Sequence, residues 1–258
     1  MTGPVLFGLL ASSGLVLGAA VGTRVRFPAA VLSMILAFAA GALITALAFE
    51  LFEDSYEQGG TWRAGLGLIA GAVVFTAASA YLDRLAGSKP EDSGGSPKLD
   101  RDAAESDDRP SKESLRGAAG LALLAAVTLD GVPENVALGV AIGEGTGGLA
   151  LLAAIFVSNF PEALVGSASM RAQGRSNLWV IGIWTACALL LTLGVVVGAG
   201  PLSAASPETI SIPLAFAGGA VLASLADTLM PEAYEHGGPK VALATTAGFL
   251  LAFMLATL

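Results

Sequence analysis

Two short motifs place acidic side chains inside otherwise apolar stretches of this sequence. Residues 129–135 read LDGVPEN, and residues 157–163, which follow 28 positions later, read VSNFPEA. Side chains three or four positions apart lie on one face of a helix. Their carboxylate and amide oxygens are ligands that suit a hard or borderline divalent cation. The residues at this spacing are Asp130 and Glu134 in the first motif, and Asn159 and Glu162 in the second.

Each motif also contains a proline, which changes the hydrogen bonding of a helix. Pro133 has no amide hydrogen, so the carbonyl of Leu129 loses its usual helical donor. Pro161 has the same effect on the carbonyl of Val157. Because such a carbonyl needs another partner in lipid, a bound cation or a water molecule is one way to satisfy it.

Carboxylates are costly inside a bilayer, at roughly 2.5–3.5 kcal/mol each on insertion scales. The apolar stretches around the motifs contain no lysine or arginine, so protons or a divalent cation must neutralise Asp130, Glu134 and Glu162. The alternative is that these polar residues only shape or pack helices. That alternative is stronger for Asn159, because asparagine often bridges membrane helices.

The composition is that of an all-α polytopic membrane protein. Apolar residues make up 54% of the 258 residues, while charged residues make up 13%, against about 25% in soluble domains. Apolar runs of about 20 residues recur, which is the length that crosses a bilayer as a helix. No basic patch indicates a nucleic-acid partner, and the single Cys187 excludes an internal disulfide. The first 22 residues lack a positively charged start, so we expect a retained helix.

Eight transmembrane spans can be drawn, and the basic residues orient them. With the N-terminus outside, 12 of the 13 Lys and Arg residues fall on the cytoplasmic side, which the positive-inside rule favours. We therefore predict a multi-pass protein of the inner or plasma membrane with both termini outside. The predicted spans are 4–22, 29–52, 62–82, 117–142, 147–170, 177–199, 211–234 and 240–257.

A polar loop separates the third and fourth spans. It covers residues 83–116, and its centre at 87–114 is rich in Gly, Ser, Pro and charged residues. Such a segment has too few apolar residues to bury, so we predict a disordered cytoplasmic loop.

An internal repeat relates the second span to the seventh. Residues 41–60 align without gaps on residues 219–238, with nine of the 20 positions identical. The two spans cross the membrane in opposite directions, so the repeat is inverted. By extension, spans 1–3 repeat as spans 6–8 around a central pair, which is a 3+2+3 arrangement. Transporters of this design place their site near the midplane, where the two motifs lie.

Further acids lie toward the ends of the repeated spans. Glu50 near the outer surface and Asp227 toward the inner surface fall one position apart in the repeat, and we interpret them as entrance and exit ligands. Other acids there are more simply explained as solvated helix ends, and His236 as a solvated loop residue. Glycine pairs such as Gly67 with Gly71, and Gly194 with Gly198, predict close helix contacts.

These motifs together resemble the ZIP (Zrt/Irt-like) family of metal-ion transporters. The fourth span of that family reads His-Asn-x-Pro-Glu-Gly, and here residues 130–135 read DGVPEN. Its fifth span carries a polar-x-Pro-Glu pattern, matched by residues 159–162, and the ending of the seventh span at 230–237 is also similar. The resemblance covers essentially the whole chain and implies transport of divalent cations, with Glu134 and Glu162 as metal ligands.

Two departures from the family pattern bear on the metal. Asp130 stands at the usual histidine position, and Gly131 at the usual asparagine position. Zinc, which the family most often carries, prefers nitrogen and sulfur ligands. An all-oxygen set favours Mn²⁺ or Fe²⁺ and still allows Zn²⁺.

The predicted function is alternating-access transport of divalent metal ions into the cytoplasm, without enzymatic activity or a cofactor. Spans 1–3 and 6–8 would rock against the central pair. An intramembrane carboxylate-metal enzyme and a passive cation channel are the alternatives. The expected partners are the bilayer and the metal ion, and the oligomeric state stays open, a homodimer included.

Overall fold

A computed structural model describes residues 2–25, 27–85, 112–145 and 148–256 of the chain. All regular structure in these ranges is helical, and they contain no strand. The α-helices are α1 (Thr2–Gly22), α2 (Ala29–Ala46), α3 (Glu53–Leu85), α4 (Lys112–Glu144), α5 (Leu149–Ala172), α6 (Asn177–Val197), α7 (Pro207–Ser224), α8 (Met230–Gly237) and α9 (Val241–Ala256). Three π-helical segments continue α2, α6 and α7: π1 (Leu47–Phe52), π2 (Gly198–Leu202) and π3 (Leu225–Leu229).

Several of these helices are long and apolar enough to span a membrane, as the composition predicts. A search of the described residues finds five such stretches: Gly3–Gly22, Ala29–Tyr81, Leu151–Ala172, Asn177–Leu202 and Pro207–Met254. The molecule is therefore an all-helical protein with the helices of a membrane protein.

Helix ends follow local sequence signals. The Ser176 side chain accepts a hydrogen bond from the amide of Trp179 at 3.2 Å and so caps the start of α6. Pro207 occupies the first position of α7, where a missing amide hydrogen costs nothing. Gly174, two residues after α5, has φ of 81°, a conformation that favours glycine.

Two helices around the polar loop extend further than the sequence predicted. The helix α3 continues to Leu85 and α4 begins at Lys112, so both ends of the loop predicted at 83–116 are helical. Charged residues such as Lys, Glu and Arg are good helix formers. The rest of the loop, residues 86–111, lies outside the described residues. Pro133 and Pro161 lie inside helices that continue on both sides.

Irregular backbone recurs at matching positions of the repeat. The segments π1 and π3 both start at repeat-equivalent leucines, Leu47 and Leu225, 178 positions apart. Beyond them, Gly60 has φ of 70° and Gly238 has φ of 58°, again 178 positions apart. The sequence alignment of 41–60 with 219–238 therefore has a counterpart in backbone conformation.

Glycine contacts also repeat on the outer helices, with an offset of 178 positions between α2 and α7 and of 177 between α3 and α9. A Cβ added to Gly41 of α2 would overlap the Thr245 carbonyl of α9, and one added to Gly219 of α7 would overlap the Leu68 carbonyl of α3. Conversely, Gly248 of α9 lies against Phe38, and Gly71 of α3 lies against Phe216. The helix α2 thus packs on α9 in the way that α7 packs on α3.

The helices that carry the Pro-Glu motifs show a second matched pair of contacts. Gly18 and Gly22 of α1 lie against the carbonyls of Phe160 and Leu164 in α5. Gly194 and Gly198, at the end of α6 and the start of π2, lie against the carbonyls of Val132 and Val136 in α4. The glycines are 176 positions apart and the carbonyls 28 apart, which is the spacing of the two motifs. The close contact predicted for Gly198, Gly67 and Gly71 is confirmed, while Gly194 is in ordinary van der Waals contact with α4.

The packing divides the described helices into two groups. In the first group α4 and α5 pack on each other and on α1 and α6. In the second α2 packs on α8 and α9, α3 packs on α7, and π1, which continues α2, joins these two sets by packing on α7. Contacts of α2 with α5 and of α4 with α7 join the groups. The motif-bearing helices are thus surrounded by other helices, which positions their polar residues in the interior.

Candidate cation site

Three of the predicted site residues are buried in the helical interior. The exposed fraction is 4% for Glu134, 2% for Asn159 and 3% for Glu162. Asp130 lies on α4 one turn before Glu134, but its side chain lies outside the described part of the structure. The structure therefore places one buried acid on each of two packed helices, α4 and α5.

Neighbouring backbones approach closely beside the turns that carry both acids. The helix α1 reaches α5 through Gly18, next to the turn that contains Glu162, and α6 reaches α4 through Gly194 and Gly198, next to the turn that contains Glu134. A side chain at Gly18 or Gly198 would hold the helices apart, whereas Gly194 has room for a Cβ in ordinary van der Waals contact. Small residues that let backbones approach closely are the common means of packing membrane helices.

Asn159 links two helices. Its Nδ2 donates to the carbonyl of Ala11 in α1 at 3.4 Å, and both residues are buried. This hydrogen bond bridges two helices, which is the role that the sequence analysis considered for Asn159 as the alternative to cation binding. It also fixes the position of the asparagine amide one turn before Glu162.

Asn135 is a candidate that was not predicted from the sequence. It is fully buried, its Nδ2 donates to the carbonyl of Gly131 at 2.8 Å, and its Oδ1 has no hydrogen-bond partner among the described residues. A buried polar atom without a partner costs about 1–3 kcal/mol, so a donor or a cation at this oxygen would stabilise the site. The sequence feature that could have predicted this role is the position of Asn135 directly after Glu134 within an apolar stretch.

The two predicted gate residues lie in the irregular segments. Glu50 belongs to π1 and is half-buried, while Asp227 belongs to π3, is exposed and accepts a hydrogen bond from the Ser79 hydroxyl at 2.8 Å. Single π-helical turns occur frequently at functional sites. Among the described residues, neither of them forms a cluster with both Glu134 and Glu162.

Acidic side chains converge between the spans predicted at 29–52 and 62–82. Asp54 is half-buried there, and burial followed by the charges of Glu50, Glu57, Glu144 and Glu53 raises its pKa to about 6. The Nε2 atom of Gln58 donates to Oε2 of Glu144 at 3.3 Å, which brings the end of α4 to this place. This end of the molecule is therefore electronegative and attracts cations.

The described side chains do not form a complete metal centre. No group of three or more His, Cys, Asp or Glu residues among them is close enough to hold one ion. The buried oxygen donors on α4 and α5 include the carboxylates of Glu134 and Glu162 and the amides of Asn135 and Asn159. Such a donor set fits a cation that prefers oxygen.

The fold and these residues define a class: an all-helical protein with membrane-spanning helices and acidic side chains buried among them. No protein-family model and no curated protein matches the chain.

Proposed function

We propose that this protein transports divalent transition-metal cations across a membrane by alternating access, into the cytoplasm. The observation that carries the proposal is the burial of Glu134 and Glu162 on adjacent helices at symmetry-matched positions. Acids inside a membrane protein mark ion pathways by default. The resemblance of both Pro-Glu motifs to those of ZIP transporters supports the same function.

Eight spans in a 3+2+3 inverted repeat account for the observed helices. The stretches Ala29–Tyr81 and Pro207–Met254 have 53 and 48 residues, or about 80 and 72 Å of helix, against about 30 Å of hydrocarbon. Each contains one of the glycines with positive φ, Gly60 or Gly238, where the chain can reverse. These two stretches supply two spans each, the other three stretches supply one span each, and α4 is the eighth span.

The packing suggests a different division of the moving parts from the one expected from the sequence. The central helices α4 and α5 do not stand alone against the rest, because they pack with α1 and α6. We therefore infer that the α1, α4, α5 and α6 group moves against the α2, α3, α7, α8 and α9 group. The contacts of α2 with α5 and of α4 with α7 would then change between the outward and inward states.

The donor set and the family resemblance favour different ions. Carboxylate and amide oxygens favour Mn²⁺ or Fe²⁺, whereas the family most often carries Zn²⁺. We infer that the metal enters past Glu50 and leaves past Asp227, and that the acidic residues around Asp54 raise the local cation concentration at the entrance.

Metal uptake into proteoliposomes tests the proposal. We expect uptake by the wild type, competition among Mn²⁺, Fe²⁺ and Zn²⁺ but not Mg²⁺, and loss of most uptake in Glu134→Ala and Glu162→Ala. Glu235→Ala is the matched control, because Glu235 is an exposed acid outside the interior, and it should transport as the wild type does.

Three outcomes would overturn parts of the proposal. Wild-type rates in both interior variants would remove the candidate site, and the absence of any divalent uptake would remove the transport function. Uptake that shows no saturation with metal concentration would favour a passive channel. An intramembrane enzyme would show no uptake but a metal-dependent activity that the same variants abolish.

A further inference from the structure

A cavity of about 520 Å³ lies where α1 ends, α2 begins and α5 ends. Its lining includes Arg24 and Arg171 together with the apolar side chains of Val25, Phe27 and Leu32. We call it the arginine cavity. Its volume is in the range of about 300–1,000 Å³ that is usual for small-ligand sites. In the proposed topology it faces the cytoplasmic side of the membrane.

The arginine cavity is separate from the candidate cation site. Arg171 follows Glu162 by nine residues, or about 13 Å of helix rise. None of the described residues that line the cavity is an aspartate or a glutamate. The charged side chains that the structure places there, Arg24 and Arg171, are both positive.

Both guanidinium groups have hydrogen-bond donors to spare. Arg24 donates from Nη1 to the Ala20 carbonyl at 2.8 Å, and Arg171 donates from Nη1 to the Arg175 carbonyl. Among the described residues, neither guanidinium forms an ion pair with a carboxylate; the ion pair found there joins Arg63 and Glu208. A guanidinium carries five N–H donors, so most of them remain available to a ligand.

The combination of charge and apolar walls selects one kind of ligand. Arginine matches the geometry of a phosphate group and binds it through paired hydrogen bonds. The apolar side chains beside the arginines suit an acyl chain or glycerol backbone, and Val25 is 45% exposed. We propose that the arginine cavity binds a phosphate group, and that the headgroup of an anionic phospholipid supplies it.

The bound lipid would contact both groups of helices, through its headgroup at Arg171 and its apolar part at Leu32. Arg171 belongs to α5 in the first group, while Leu32 belongs to α2 in the second. If the two groups move as proposed under transport, the lipid would stabilise the state in which the cavity is formed. This consequence rests on the proposed function, whereas the binding itself does not.

Native mass spectrometry of the purified full chain with added phosphatidylglycerol tests the binding. We expect selective retention of phosphatidylglycerol over phosphatidylcholine by the wild type. Arg24→Gln and Arg171→Gln should each raise the Kd about fivefold, and the double variant about 25-fold. The reason is that each arginine near a membrane surface contributes about 1 kcal/mol of binding free energy, which is about fivefold in Kd. Arg175→Gln is the matched control: Arg175 stacks 4.8 Å from the Trp179 ring centre and does not line the cavity.

Inorganic phosphate distinguishes the source of the group. If phosphate alone displaces phosphatidylglycerol at millimolar concentration, a soluble phosphate compound is the ligand; if it does not, the lipid is. Equal retention of phosphatidylcholine, or full retention of phosphatidylglycerol by the double variant, would overturn the site. Because no transport is measured, a failure here is distinct from a failure of metal uptake.

Discussion

The two buried glutamates are the residues on which the proposed chemistry depends. Each belongs to a different helix, and each helix is held against a glycine-bearing neighbour. The two acids therefore have equivalent surroundings in the two helices. Their contributions to cation binding should therefore be comparable.

Metal-dependent stabilisation measures that contribution without transport. A ligand that binds only the folded state at 100 times its Kd stabilises by about 2.7 kcal/mol, so Mn²⁺ or Zn²⁺ should raise the Tm of the wild type in detergent. Glu134→Gln and Glu162→Gln should lose most of this rise, because each removes a charged oxygen ligand. Glu235→Gln should keep it. An equal rise in all four proteins would show that the metal binds elsewhere.

Asn135 provides a prediction of its own at the residue scale. If its unpartnered Oδ1 faces the cation or a water molecule of the cation's shell, Asn135→Ala should weaken metal binding about tenfold, the lower end for residues that support a metal site. Equilibrium dialysis measures this affinity. Asn177→Ala, at an exposed position, serves as the control. Unchanged affinity in Asn135→Ala would assign the residue to packing alone.

At the scale of the elements, glycine contacts determine which helices pack together. Gly198 lies against the Val136 carbonyl and Gly18 against the Phe160 carbonyl, with no room for a Cβ. Gly182, in contrast, has nothing within 4 Å of the position of an added Cβ. These glycines sit in similarly apolar helices, so their effects on stability isolate the role of close packing.

Alanine substitutions test this role. Gly198→Ala and Gly18→Ala should each destabilise the protein by about 1–3 kcal/mol, the usual cost of overpacking. Gly182→Ala should be neutral or stabilising by up to about 1 kcal/mol, because alanine is the better helix former. Thermal unfolding in detergent measures the difference. A Gly198→Ala protein as stable as Gly182→Ala would mean that π2 and α4 are not in close contact.

At the scale of the whole molecule, a single correspondence between helices relates all of the matched contacts. The pairs α1 with α5 and α2 with α9 are related to the pairs α6 with α4 and α7 with α3. The contact of α2 with α5 is likewise related to that of α7 with α4. A two-fold pseudo-symmetry accounts for all of them, and in the membrane it predicts an inverted repeat.

Labelling from the two sides of the membrane tests that topology. Arg63→Cys and Lys240→Cys can be made in a Cys187→Ala background, because Cys187 is the only cysteine. An impermeant maleimide should label Arg63→Cys in intact cells but Lys240→Cys only after permeabilisation. Loss of the Arg63 ion pair with Glu208 is tolerable, since surface pairs contribute about 0–1 kcal/mol. Labelling of both from one side would rule out the inverted repeat.

The sequence by itself determined that the protein is helical and membrane-spanning, and which residues are candidates for the site. The physical reason is that long apolar runs have one stable form in lipid, and that an acid within such a run is conspicuous. Glu134 and Glu162 were identifiable on that basis alone. The repeat of 41–60 at 219–238 also predicted where the backbone features of π1 and Gly60 would recur, once either copy was known.

Only the tertiary structure decided which helices pack together and what their packing buries. In a helix that is apolar on all sides, no periodic pattern distinguishes the face that contacts protein from the face that contacts lipid. Partner choice then depends on close backbone contacts such as those of Gly18 and Gly198, which are visible only in three dimensions. For the same reason the sequence could not show that α4 and α5 belong with α1 and α6, that Asn135 is buried, or that Arg24 and Arg171 share a cavity.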